Sequence, residues 1–317
     1  MNEPIVTVSV LTYNSSKTVL ETLDSIKAQT YPNLILQICD DCSTDATVSI
    51  CEEWIKIYKE RFVKTKIIFS DHNTGVSANC NRSLDACETE WMKEIAGDDM
   101  LMPECIRIFV NYIISHPDAA IVFSRFDPFG KSQEILNVFK NYDYTFFNLS
   151  PKAQYTRLLT KGNCIPAPTA FTNVKQKREL GIRADERIPL LEDLPTWIQY
   201  LEVGVKFHFV DHILVRYRVG ENGLTSGLFK SAAYEKSYRC YCLYYQFPYD
   251  LDCNEDIAYK KVLDYEMSKI DEIYELKSRL HAVEISCPYR LGILILQPVK
   301  RVFDLCMKIV NFIRKRN

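Results

Sequence analysis

A mostly parallel α/β sheet covered by helices on both faces is predicted for this chain, on three observations. Short apolar runs alternate with amphipathic helical runs through the first 130 residues. The connections between them are short. The apolar runs end in polar or acidic clusters: Thr12-Tyr13-Asn14, Asp40-Asp41, Asn73-Thr74-Gly75 and Asp98-Asp99. In such sheets ligands collect at the C-terminal strand edge, where loops and helix N-termini converge.

The elements follow in order. Ile5 to Leu11 is a β-branched strand, and Ser15 or Ser16 can cap a helix with Val19, Leu20, Leu23 and Ile26 on one face. Leu34 to Cys39 is a second strand. Asp45 suits the cap of a helix carrying Val48, Cys51, Ile55 and Tyr58. A strand at Lys66 to Phe69, a helix near Val76 to Cys87 and a strand at Trp91 to Ile95 come next. Pro103 opens a helix, Ile106 to Ser115, and Ala119 to Phe126 is a further strand. Beyond Gly130 the pattern loosens. Ser150-Pro151 starts a helix, Lys161 to Thr172 is a Gly- and Pro-containing loop leading to a strand, and Leu190 to Asp193 precede a helix around Trp197. Lys206 to Arg218 gives two strand-like runs, and from Phe229 the chain reads as helical. The division expected is an α/β domain over 1–225 and a helical extension over 226–317.

Composition bounds the function. The 317 residues are 47% hydrophobic and 25% charged, enough for a packed core and against disorder. A net charge of −2 offers no general attraction to nucleic acid. No basic leader precedes the first strand and no run reaches transmembrane length, so a cytoplasmic location is expected. Twelve cysteines scattered through a chain of this size fit reduced thiols in core positions. Cys39-Asp40-Asp41-Cys42 has no second pair at zinc-ribbon spacing.

Taken in order, Val8 to Asn14, Asp40 to Asp45, Asn73 to Asn81, Gly97 to Leu101, Glu192-Asp193 and Tyr217-Arg218 resemble the family 2 glycosyltransferases, inverting enzymes with the GT-A fold. The resemblance covers residues 3 to 225. It implies that Thr12, Tyr13 and Asn14 line a nucleotide pocket, that Asp41 accepts a hydrogen bond from the base, most often uracil, and that Asn73 and Gly75 let the backbone approach the nucleotide. Asp98 falls on the last acid of the family's D-x-D metal motif and would hold Mn²⁺ or Mg²⁺ against the diphosphate. Ala96 stands where the first acid is expected. Asp193 falls on the catalytic base, with Glu192 in support, and Arg218 would sit near the diphosphate. Relatives carry a histidine two residues beyond that arginine; here it is Gly220, and His208 and His212 are the alternatives. Gly162 to Thr169 resembles an acceptor-flanking loop.

The implied partners are a nucleotide-diphosphate sugar, with UDP as the expected nucleotide, and a saccharide or lipid-linked acceptor, as in cell-surface polysaccharide biosynthesis. Two other classes compete: a non-catalytic sugar-nucleotide or glycan-binding descendant of a transferase, and a nucleotidyltransferase. The second wants a Gly-rich basic loop after the first strand, which Leu11 to Lys17 lacks. A dehydrogenase fingerprint is likewise absent there. Near the end, Val299, Val302, Phe303, Cys306, Ile309, Val310 and Ile313 form one stripe among basic residues. Such a helix would lie at the inner face of a membrane or dock on protein.

Overall fold

The computed structural model describes residues 3–130, 136, 137, 139, 142–219, 232–246, 248 and 249. Gly220, the amphipathic stripe and most of the expected helical extension lie outside them.

Four strands build the first half of the sheet: β1 (Val6–Thr12), β2 (Leu34–Asp40), β3 (Lys64–Phe69) and β4 (Trp91–Ala96). β1 and β2 are buried almost throughout: β2 is a nearly continuous apolar run, while in β1 the buried Thr7 and Ser9 alternate with valines and hydrogen-bond Thr89 and Ser83. All four are parallel, in the order β3-β2-β1-β4. Their registers pair Thr12 with Asp40, Asp40 with Phe69, and Leu11 with Ala96. The four C-terminal ends are therefore level, and every residue that follows them emerges on one edge.

The sheet continues through β7 (Phe171–Asn173), β6 (Ile121–Gly130), β8 (His208–Val219) and the two-residue β5 (Met100–Leu101). β7 is antiparallel to both β4 and β6, and β8 is parallel to β6. Two reversals restore the direction of β4, so Arg218, near the end of β8, reaches the same edge as Thr12 and Asp98. The two strand-like runs expected over 206–218 are one strand with a bulge: the pairing slips between Ser124 and Phe126, which oppose Val210 and Val215. The strand expected after Thr172 is only β7. Asn173 ends it by accepting the backbone N–H of Gln176 at 2.9 Å, opening α6 (Val174–Glu179).

Helices α1 (Val19–Lys27), α2 (Thr47–Tyr58) and α4 (Cys105–Ser115) carry apolar faces into the larger core, with Val6, Val8, Leu34 and Leu36. Val19, Leu23 and Ile26 are buried as their spacing predicts. Leu20 is 45% exposed, and Thr22 takes its place inward, donating to the Asp99 carbonyl at 2.7 Å. α3 (Val76–Ala86) covers the other face, where Leu84 packs on Met92 and Val174. A second core lies under α5 (Pro151–Lys161), capped by Ser150 with proline at its first position, and α7 (Asp193–Glu202). It holds Phe123, Leu158, Trp197 and Tyr200, and Tyr241 of α8 (Ala232–Tyr241) joins it. Burying each such side chain is worth roughly 1.5–3 kcal/mol. Among the described residues, no helix is long and apolar enough to cross a membrane.

Candidate active site

The loops after β1 and β2 brace each other. Thr12 is buried and its hydroxyl donates to Asp40 Oδ2 at 2.7 Å; Asp40 also accepts the Ser43 backbone N–H and hydroxyl. Asn14 Oδ1 accepts the Thr44 N–H at 2.8 Å, and the Asn14 N–H donates to Ser43 Oγ at 2.8 Å. Among the described residues, Asn14 (φ 51°) and Cys42 (φ 64°) are the non-glycine residues held in the left-handed region, one in each loop. Tyr13, 47% exposed, stands free beside them as a flat aromatic face at the edge.

Asp41 is 3% exposed, and its carboxylate is crowded with donors. It accepts the Thr74 N–H at 3.0 Å, the Thr74 hydroxyl at 2.5 Å and the Gly75 N–H at 2.8 Å, with the Arg82 guanidinium at 3.4 Å. Arg82 in turn donates to Thr74 Oγ1 and Asn79 Oδ1, both at 2.7 Å. Asp41 thus organises the Asn73-Thr74-Gly75 turn before it meets any ligand. Thr74 and Arg82 were not legible as site residues. The eight-residue spacing from Thr74 to Arg82 could have suggested a shared helix face, but nothing in it points to Asp41.

The loop after β4 places two acids differently. Asp99 is buried and its Oδ1 accepts the Arg218 backbone N–H at 2.7 Å; Arg218 Nε donates to the Asp98 carbonyl at 2.7 Å, and its other end meets Glu21. Burial, together with the Asp98 charge, holds the Asp99 carboxyl well above the ordinary range. Burial also raises Asp98, against the pull of Arg218. No side chain among the described residues donates to the half-buried Asp98 carboxylate, which leaves its oxygens available to a ligand. Gly97 lets this loop lie against β1's loop, since a Cβ there would come 3.0 Å from Thr12 Cγ2 and 3.1 Å from Ser15. Among the described residues no three His, Cys, Asp or Glu side chains cluster to hold a metal. A divalent cation at Asp98 fits only with oxygen ligands from substrate and water completing its shell.

Glu192 and Asp193 open α7 close to this edge. The segment before them packs on the start of α3: the Ser77 hydroxyl donates to the Ile188 carbonyl at 2.7 Å, and Pro189 Cβ would lie 3.1 Å from a Cβ on Gly75. Asp193 accepts its Leu194 N–H at 2.7 Å and Asn163 Nδ2 at 2.5 Å. Both carboxyl groups keep an edge to solvent but are otherwise enclosed by protein. Burial, then the Asp193 charge, pushes Glu192 up to about 8; burial pushes Asp193 up to about 6 against its two donors. Burial thus raises the proton affinity of the pair as a whole, so that near neutral pH one carboxyl group can take a proton while the other donates a hydrogen bond.

Behind the site lies Lys93, fully buried on β4. Its ammonium donates to the carbonyls of Pro168, Ala170 (3.0 Å) and Glu94 (3.2 Å), tying the loop after α5 to the strand. Burial lowers it to about 8. A lysine inside a strand run gave no signal of this. The histidines do not replace the residue at position 220. His208 is buried at the opposite end of β8, beside Tyr112 at 3.2 Å, about 33 Å of strand from Arg218 at ~3.3 Å per residue. His212 is exposed near the strand's bulge. Cys39 is buried, its thiol pushed up to about 11 by burial, as a core residue.

The sequence profile of Glycosyl transferase family 2 matches residues 7–172, just over half the chain, including the ends of β1 to β4. This chain belongs to the family 2 glycosyltransferases. Bacillus subtilis "Putative glycosyltransferase EpsE" is 26% identical over 244 residues, 77% of this chain and 81% of that protein. Two solved structures share the GT-A fold. S. aureus TarS 1–349 in complex with UDP-GlcNAc superposes with a TM-score of 0.58 at 19% identity, over 75% of this chain and 66% of that one. Mannosyltransferase PcManGT from Pyrobaculum calidifontis, with GDP-Man and Mn²⁺, gives 0.56 at 18% identity, over 71% and 59%. The transferase thus spans about two thirds or less of those two chains.

Proposed function

We propose that this transferase moves a sugar from a nucleotide diphosphate, UDP by preference, to a saccharide or lipid-linked acceptor with inversion at the anomeric carbon, in cell-surface polysaccharide assembly. One observation carries the reading: a level strand edge gathers Asp41, Asp98 and Arg218, and the Glu192–Asp193 pair opens a helix close to it. The TarS and PcManGT complexes support a nucleotide-sugar donor, and the second supports a divalent cation.

In this reading Thr12, Tyr13 and Asn14 hold the nucleotide, with Tyr13 offering a face for base stacking. Asp41 accepts the base N–H through whatever acceptor capacity the turn leaves it. Asn73 and Gly75 set the backbone beside the nucleoside. Asp98 would hold Mn²⁺ or Mg²⁺, which supplies charge neutralisation on the leaving diphosphate. Arg218 lies beside it, its guanidinium already oriented by Glu21 and the Asp98 carbonyl. Asp193, positioned by Asn163, takes the proton of the acceptor hydroxyl as that oxygen attacks. Protonated Glu192 adds no second negative charge next to it. The catalytic domain is taken to end near residue 225. We place the protein in the cytoplasm, peripheral at the membrane through 298–317.

Calorimetry tests the donor site. UDP should bind wild type, more tightly with Mn²⁺, and Asp98→Ala should lose the metal enhancement while keeping metal-free binding. No binding of any nucleoside diphosphate by wild type would refute the reading.

A further inference from the structure

Beside the acceptor-flanking loop lies a cavity of about 240 Å³ that the reading above leaves unused. Its walls include Tyr142, Phe146, Leu149, Arg157 and Cys164, with the exposed Asp143 at its rim. Two of its lining residues each carry a buried polar atom without a hydrogen-bond partner among the described residues: Arg157 at Nη1 and Tyr142 at its hydroxyl. Arg157 has no described carboxylate within ion-pair distance, although its charge helps to lower the pKa of Asp143 at the rim. An unpaired buried donor costs ~1–3 kcal/mol, and more when it is charged, so the native fold keeps one only where something else satisfies it.

The ligand class follows from these groups. A guanidinium and a phenol among the lining residues of one cavity suit an oxyanion, since a charged acceptor makes the stronger hydrogen bond to arginine. The Asp143 carboxylate opposes an anion, but it is exposed at the rim and already accepts the Thr145 N–H at 2.9 Å. The aromatic and aliphatic walls suit the apolar face of a sugar ring. At about 240 Å³ the cavity is smaller than a whole ligand site, typically ~300–1,000 Å³, and fits a single unit of a longer ligand.

Its position ties it to the reaction. Cys164 in the cavity wall directly follows Asn163, whose amide holds Asp193. Cavity and candidate base are joined through two consecutive residues, about 3.8 Å apart along the chain. Arg157 lies on α5, which enters the same loop at Gly162.

We propose that this cavity is an acceptor subsite for an oxyanion-bearing unit, a sugar carboxylate or a phosphate, held by Arg157 and Tyr142. The proposal rests on the glycosyl-transfer reading for its role but not for its existence. The test is calorimetry on the full chain with UDP and Mn²⁺ present, so that a diphosphate site is filled. Glucuronate and inorganic phosphate are the probes, and glucose is the neutral control. One of the two anions should bind at least about tenfold more tightly than glucose, as a charge-assisted hydrogen bond requires. The anion that binds names the source. Arg157→Gln should abolish that preference and Tyr142→Phe should weaken it, with UDP affinity unchanged in both. Equal binding of glucose and both anions, binding of neither anion, or full anion binding by Arg157→Gln overturns the subsite. Loss of UDP binding by wild type, read in a separate titration, would strike the donor reading and leave the anion result standing.

Discussion

Two residues at the site act through different physics, and each can be tested alone. Asp193 is raised by burial to about 6 yet kept accepting by the Leu194 N–H and Asn163. An amide in its place keeps the shape and loses the basicity. Asp193→Asn should therefore leave UDP affinity unchanged and lower turnover by about 10²–10⁴-fold, the usual range for a general base. In wild type, kcat should rise with pH through about 6, as Asp193 ionises. A variant with near-normal turnover, or a profile flat from pH 5 to 7, would remove Asp193 from that role. Lys93 works by holding a loop. Lys93→Met would remove a buried charge, a gain, but would strand the Pro168 and Ala170 carbonyls. With three carbonyl partners and no carboxylate in contact, the stranded acceptors should win by about 2 kcal/mol, lowering Tm by roughly 4–8 °C for a domain of this size. An unchanged or higher Tm would show that the loop does not depend on the ammonium.

At the scale of elements, the turn between β3 and α3 is tightly constrained by backbone geometry. Gly75 has φ 89° and ψ 162°, a conformation essentially confined to glycine, and a Cβ added there would stand 3.1 Å from Pro189 Cβ. Gly162 has a similar backbone, φ 78° and ψ −174°, with nothing within 4 Å of where a methyl group would stand. The two separate strain from crowding. Gly162→Ala should cost the strain alone, about 1–3 kcal/mol. Gly75→Ala should cost more and also weaken UDP binding, because its N–H donates to Asp41. Equal losses measured by urea denaturation would mean that Pro189 yields easily. These elements also show what could be read in advance. β2 was legible because a strand buried on both faces is a nearly continuous apolar run, β1 because its valines recur at every second position, and the acids after the strands because a strand end leaves a polar cluster next to an apolar one. Thr74 and Arg82 were hidden because their role depends on where Asp41 points. The bulge in β8 was hidden because three extra residues in one strand, between Val210 and Val215, look in sequence like a break between two. Leu20 was misplaced because the buried face of the helix runs through Val19, Leu23 and Ile26 at i, i+4 and i+7, and its i+3 position is Thr22, whose hydroxyl satisfies the Asp99 carbonyl.

The whole molecule carries the electrostatic consequence of its site. Near the end of the chain, 298–317 sets six basic residues against Asp304, so low-salt flotation on anionic vesicles should be weakened by deleting them; flotation equal to that of the full chain would assign the segment to protein contacts. Within the described residues the sharper global property is pH dependence. Glu192 and Asp193 ionise near 4 in an unfolded chain but only near about 8 and about 6 in the fold. Below pH 4 both states hold the protons and the pair costs nothing. Between pH 4 and 8 the unfolded chain releases protons that the folded one retains, so the pair's contribution falls as pH rises and is lost above about 8. His208 acts the other way, because burial lowers its pKa and favours the neutral form as pH increases. The slope of wild type alone therefore mixes the two. The difference between wild type and Glu192→Gln isolates the carboxyl pair, since the amide cannot ionise and relieves Asp193 of its neighbour. We expect Glu192→Gln to gain stability relative to wild type as pH rises from 5 to 8, measured by urea denaturation. A difference that stays constant across that interval would mean that Glu192 is ionised at neutral pH, and with it would go the division of the pair into one base and one hydrogen-bond donor.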